Sequence, residues 1–102
     1  MNIEWTEPAL LDLENIRNYI GRDSEYYATR FVEQIIEAVD SLGKFPKMGR
    51  NVPEAEEDNI RELLFLSYRI MYRVERERIL ILTIIHAGRD LSKKKRKPWE
   101  VV

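Results

Sequence analysis

The chain of 102 residues contains no cysteine. Disulfide bonds and thiolate metal sites are therefore excluded, and a reducing cytosol fits that lack. There is one histidine and there are four glycines. No glycine-rich loop could cradle a phosphate, and a lone imidazole leaves no metal-spaced His/Cys set and no Ser/His/Asp grouping. Long apolar runs are missing as well, since nothing reaches the roughly 18 residues of a membrane span. The opening stretch "MNIEWTEPALLDLENI" carries acids where a secretory leader carries bases. The expectation is a cytoplasmic protein with no membrane partner, no metal site and no cofactor.

What is present is apolar material and charge. Hydrophobic residues make up 44% of the chain, enough for the modest core of one domain spanning 1–102. The net charge of −1 hides a division. Residues 1–59 hold six Lys/Arg and thirteen Asp/Glu, whereas residues 60–102 hold eleven and five. The split predicts an anionic target or an acidic partner for the second half, unless the two halves merely attract each other.

The pattern of apolar residues predicts the elements. "NIEWT" (2–6) alternates and reads as a short strand. Thr6 follows as a helix N-cap, with Glu7 and Pro8 suited to the first turn. From Pro8 to about Gly21, apolar residues such as Leu13, Ile16 and Ile20 recur at helical spacing. Ser24 is a second N-cap, and Phe31, Ile35, Val39 and Leu42 mark a second stripe that Gly43 and Pro46 end. The short connection predicts an antiparallel helical hairpin. Residues 44–59 read as a loop, with Glu54, Glu56, Glu57 and Asp58 facing solvent. Strands at 60–66, 68–76 and 78–87 then form a meander.

Strict alternation assigns the faces of these strands. On 68–76, Tyr68, Ile70, Tyr72 and Val74 share one side, and Arg69, Met71, Arg73 and Glu75 the other. On 78–87, Ile79, Ile81, Thr83 and Ile85 point one way, and Leu80, Leu82, Ile84 and His86 the other. Both sides of this last strand are apolar, so it belongs at the centre of the sheet with both sides covered. The helical hairpin can cover one. For the other, either Trp99, Val101 and Val102 fold back, with Trp99 as anchor, or a partner protein completes it. Gly88 is expected to supply a positive φ or a close approach, and Trp5 and the tyrosines to lie in the core or at its boundary.

Several stretches occur in a particular order. They are "GR" (Gly49–Arg50), "IREL" (Ile60–Leu63), "YRIMYRV" (Tyr68–Val74), "ILILTIIHAGRD" (Ile79–Asp90) and "KPWE" (Lys97–Glu100). Together with the order of elements, they resemble the RelE/ParE superfamily of bacterial toxins over nearly the whole chain. The resemblance implies an α+β fold: an N-terminal strand and an antiparallel helical hairpin packed on one face of a mainly antiparallel sheet, in the order β-α-α-β-β-β. A basic C-terminal tail at 91–102 would dock on the sheet or on an antitoxin. The resemblance also implies a type II toxin–antitoxin pair, in roles such as plasmid stabilisation. The toxin arrests growth when free and is neutralised when its cognate antitoxin wraps it and fills apolar grooves.

One branch, resembling RelE, cleaves mRNA on the ribosome; the other, resembling ParE, poisons DNA gyrase. Metal-free RNA cleavage needs a base for the 2′-OH, cations for the phosphate and an acid for the leaving oxygen. Arg69 matches the arginine of the family's Tyr-Arg-aliphatic motif, a phosphate contact in the ribonuclease branch. Arg61 could add charge, and His86 has a suitable intrinsic pKa, although it could equally hold the turn at the strand end. The ribonuclease branch often has lysines on the preceding strand and a tyrosine after the last one. Here "IRELLFL" has no lysine, and "RDLSKKKRK" has no aromatic. "HAGRD" is closer to the ParE branch. The expectation is gyrase as target, bound through Arg73, Arg89, Lys93, Lys94, Lys95, Arg96 and Trp99. Ribosome-dependent mRNA cleavage through Arg69, His86 and Arg61 is the alternative, and an inert binding module with the same fold is a third.

Overall fold

The computed structural model describes residues 1–89, 91 and 96–100. Both helices begin where their caps predict. The Thr6 hydroxyl oxygen accepts the Ala9 N–H at 3.3 Å and opens α1 (Glu7–Gly21). The Ser24 hydroxyl oxygen accepts the Tyr27 N–H at 3.2 Å and opens α2 (Glu25–Ser41). Neither helix ends on a left-handed glycine; Arg22 and Leu42 close them in right-handed geometry.

Around this hairpin the chain builds β1 (Asn2–Trp5), β2 (Arg50–Asn51), β3 (Ile60–Phe65), β4 (Tyr68–Val74) and β5 (Arg78–His86). The sheet order is β1-β5-β4-β3-β2, with β1 parallel to β5 and every other pair antiparallel. Two expectations change. β2 lies inside the segment read as loop, because two residues are too few to show alternation. The central strand is β4, with β5 beside it.

The hairpin covers one face of the sheet. Phe31, Ile35 and Val39 of α2 and Ala9 and Leu13 of α1 pack on Ile70, Tyr72, Ile79, Ile81 and Ile84. Ile84 on this side corrects the alternation read from the sequence. Met71 pairs with Thr83, but Tyr72 pairs with Ile81, so Leu82 is an extra residue in a β-bulge. Beyond the bulge the faces exchange, and Ile85 joins Leu80 and Leu82 on the far side. Helix α1 and its cap satisfy the polar groups that the bulge frees. The Thr6 hydroxyl donates to the Ile81 carbonyl at 2.7 Å, and Asp12 accepts the Ile84 N–H at 3.1 Å and the Thr83 hydroxyl.

The far face is closed by the chain itself. Met71, Leu80, Leu82 and Ile85 are buried there beneath Val52 and Leu91, with Ala55 and Trp99 packed alongside. The cover is neither a partner protein nor the tail alone, since the loop after β2 supplies part of it through Val52 and Ala55. Val101 and Val102 lie outside the described residues. Among the described residues, no helix is long and apolar enough to cross a membrane.

Candidate functional site

The chemistry gathers where β3 and β4 pair. Leu64 lies opposite Arg69, so Glu62 is the diagonal neighbour of Arg69 on the same face. Arg69 Nε donates to Glu62 Oε1 at 2.5 Å, and Arg50 Nε donates to Glu62 Oε2 at 2.6 Å. Glu54 then reaches in from the loop. Its two carboxylate oxygens accept from Arg69 Nη2 at 2.8 Å and Nη1 at 3.0 Å, a bidentate pair. Arg69 Nη1 also donates to the Arg89 carbonyl at 3.2 Å. Arg69 is only 5% exposed and Glu62 1%. The hydrogen bonds that Arg69 donates to Glu54 do most to hold the guanidinium's pKa above its ordinary value; burial opposes them, and Glu62 adds to them. Glu54 therefore faces inward, not to solvent as the loop composition suggests, while Glu56, Glu57 and Asp58 are exposed.

The other two residues expected at a cleavage site lie across the sheet. Arg61 alternates with Glu62 and shares the helix side with Leu63 and Phe65, where its Nη1 donates to the Gly49 carbonyl at 2.8 Å. His86 is exposed at the end of β5. Its ring meets Tyr68 edge-on at 6.0 Å, and its Nδ1 accepts the Gly88 N–H at 3.3 Å. Tyr68 itself packs on the helix-side cluster. The sheet thus separates Arg69 from both Arg61 and His86.

The residues expected to bind a target are spread around the far face. Arg73 pairs with Glu75 at 2.8 Å and donates to the Trp99 carbonyl at 3.3 Å. Trp99 sits in a single 3-10 turn, Pro98–Glu100, half-buried against the far-face cluster. Arg89 and Arg96 are exposed, and Lys97 Nζ donates to the Leu91 carbonyl at 2.7 Å. Lys93, Lys94 and Lys95 lie outside the described residues. No group of three or more Asp, Glu or His side chains could hold a metal ion among the described residues.

Three features differ from expectation. Gly88 has neither a positive φ nor a crowded surround; the nearest atom to an added Cβ would be His86 Nδ1 at 3.6 Å. The close approach belongs to Gly49, where a Cβ would meet the Glu62 carbonyl oxygen at 2.5 Å. Tyr19, Tyr26 and Tyr27 are not boundary residues: each is about two-thirds exposed at the tip of the hairpin, and the Arg22 guanidinium lies 5.9 Å from the Tyr19 ring. The periodicity that marks Tyr19 as apolar cannot tell a buried stripe from its margin.

Comparison with known proteins places this geometry in context. The model of the ParE toxin of the type II toxin–antitoxin system parDE matches residues 3–91. Toxin RelE2 of Caulobacter vibrioides is 38% identical over 88 residues, covering 85% of this chain and 96% of its own. The Sinorhizobium fredii protein Y4kP is 39% identical over 87 residues, covering 83% and 86%. Among solved structures, a chain of the chromosomal ParDE system of P. aeruginosa superposes with a TM-score of 0.72 at 27% identity, over 86% of this chain and 97% of that one. A chain of the RelBE2 toxin–antitoxin complex of Mycobacterium tuberculosis shares the fold, with a TM-score of 0.63 at 20% identity over 83% and 95%.

Proposed function

The chain belongs to the ParE toxin family of type II toxin–antitoxin systems, and from that premise we propose that it arrests growth by binding DNA gyrase and that a cognate antitoxin neutralises it. The observation that carries binding over bond cleavage is the division of the candidate residues by the sheet. A metal-free ribonuclease needs its proton-transfer groups and its phosphate-binding cations around one scissile bond. Here Arg69 is turned inward onto Glu54 and Glu62, and Arg61 and His86 occupy the opposite side. Arg69 acts as a structural cation, and the exposed Arg89 and Arg96, with the lysines of the tail, contact the target.

The name RelE2 carried by one relative favours the alternative, ribosome-dependent mRNA cleavage, and one experiment separates the two. The chain is expressed without its antitoxin, as wild type and as His86→Ala. His86 is exposed, so its loss leaves the fold intact. Under gyrase binding, both forms cause filamentation and DNA-damage signalling, and purified chain inhibits supercoiling by purified gyrase. Rapid loss of protein synthesis, with mRNA fragments that disappear in His86→Ala, overturns that reading in favour of cleavage.

A further inference from the structure

The turn after α2 carries a second surface whose assignment rests on the reading above. Residues 41–53 contain Lys44, Lys47 and Arg50 and no acid, an exception within the acidic first half of the chain. The backbone of this turn is fixed from within. The N–H groups of Lys44 and Phe45 both donate to the Ser41 carbonyl, at 3.2 and 3.1 Å, and the Met48 N–H donates to the Phe45 carbonyl at 3.0 Å. Tyr72 rises beneath them from β4. Its hydroxyl donates to the Pro46 carbonyl at 2.8 Å and accepts the Gly49 N–H at 2.9 Å. Burial raises the pKa of this phenol, so it remains a donor at any physiological pH. With no room for a Cβ at Gly49, the turn has little freedom to slide.

A backbone held this firmly nonetheless presents apolar side chains to water. Phe45 is 61% exposed and Met48 46%. With Met1, Pro46 and Val74 they line a depression of about 780 Å³, within the range of roughly 300–1,000 Å³ that ligand sites occupy. Lys47 completes the lining, and Lys44 is adjacent to Phe45 and exposed. Neither lysine has an ion-pair partner among the described residues.

We propose that this depression docks an acidic segment of the antitoxin, seating large apolar side chains against Phe45, Met48 and Val74 with carboxylates over Lys44 and Lys47. Charge complementarity selects the occupant. An apolar floor takes side chains rather than phosphates, and a cationic rim rejects basic segments and accepts acidic ones. Because the turn is already fixed, the ordering cost of association falls mainly on the incoming segment. The phenylalanine is the central anchor and the lysines steer the approach.

The test uses the full chain and the protein encoded beside its gene, with affinity measured by calorimetry at low and high salt. Phe45→Ala and Lys47→Glu are made separately, and thermal unfolding verifies that each is folded. Each substitution is expected to weaken antitoxin binding roughly tenfold or more, and Lys47→Glu also to flatten the salt dependence. Unchanged affinity in both folded variants overturns the docking site while leaving the chain a neutralised toxin. Unchanged affinity with lost growth arrest reassigns the depression to the target. A drop in the sedimentation mass of the free chain on Phe45→Ala reassigns it to a second copy. If the wild-type chain does not bind the neighbouring protein at all, the functional reading fails as well.

Discussion

The sheet is closed on one side by two helices and on the other by a loop and a single 3-10 turn, and different forces hold the two roofs. Under the helices, Ile35, Val39, Leu42, Ile70, Ile79 and Ile81 have no exposed surface, and the buried charged residues among those described, Arg69 and Glu62, lie on the other side of the sheet. Under the loop, the apolar layer of Met71, Leu80 and Leu82 is interrupted by Arg69 and Glu62, and the Glu54 carboxylate joins loop to sheet. Apolar burial is non-directional and scales with area. A buried ion pair repays little of its desolvation but fixes geometry, because any other arrangement strands a charge. The helix side therefore supplies stability, while the loop side specifies which segment lies over the arginine.

Breaking the helix side is expected to cost most. Ile81→Ala removes a fully buried side chain and should destabilise by about 4 kcal/mol, near the top of the range for such truncations, as read from denaturant unfolding. Glu62→Ala tests the loop side. It leaves Arg69 buried with Glu54 alone, and a loss of about 3 kcal/mol is expected. The triple variant Glu54→Gln, Glu62→Leu and Arg69→Met should recover most of that loss, because it removes the arginine together with both carboxylates that grip it. A triple variant no better than the single one would mean that the network itself supplies stability, and the contrast would collapse.

The smallest effect tests the margin where the tail is tied down. Glu75 bridges Arg73, which holds the Trp99 carbonyl, and Arg78, which also pairs with Glu4. The hydrogen bond from Arg78 holds the Glu75 carboxyl below its usual range, burial opposes this, and Arg73 adds to it. A carboxylate with a depressed folded-state pKa adds stability that is present above the ordinary carboxylate pKa. That stability is lost as pH falls through the depressed value. Wild type should therefore lose slightly more than Glu75→Gln on acidification, by denaturant midpoint, and the difference should shrink in high salt.

The same contrast explains what was legible in the sequence. Ser24 and Thr6 mark the helix starts, the three-and-four spacing marks the buried stripes, and alternation along β4 divides Ile70 and Tyr72 from Arg69 and Met71. These are local, periodic signals. The faces of β5 were not legible past Leu82, because one extra residue inverts everything after it. The Glu62–Arg69 contact could have been found, since the tight β3–β4 turn sets Leu64 opposite Arg69. The reach of Glu54 could not, for a loop has no period from which to infer direction. The crowding at Gly49 comes from Glu62 and Tyr72, thirteen and twenty-three residues away, and leaves no trace in its own neighbourhood.

The parallel pairing of β1 with β5 joins residues 2–5 to residues 78–81. Among the described residues no other strand borders β1, and α1, which follows it, has β5 as its main sheet contact. Little of this architecture can be assembled while the ribosome is still making the middle of the protein, since such distant pairings form late. β1 and the helix that follows it therefore wait for residues 78–81 to emerge, so this edge of the sheet closes only after both helices have been synthesised.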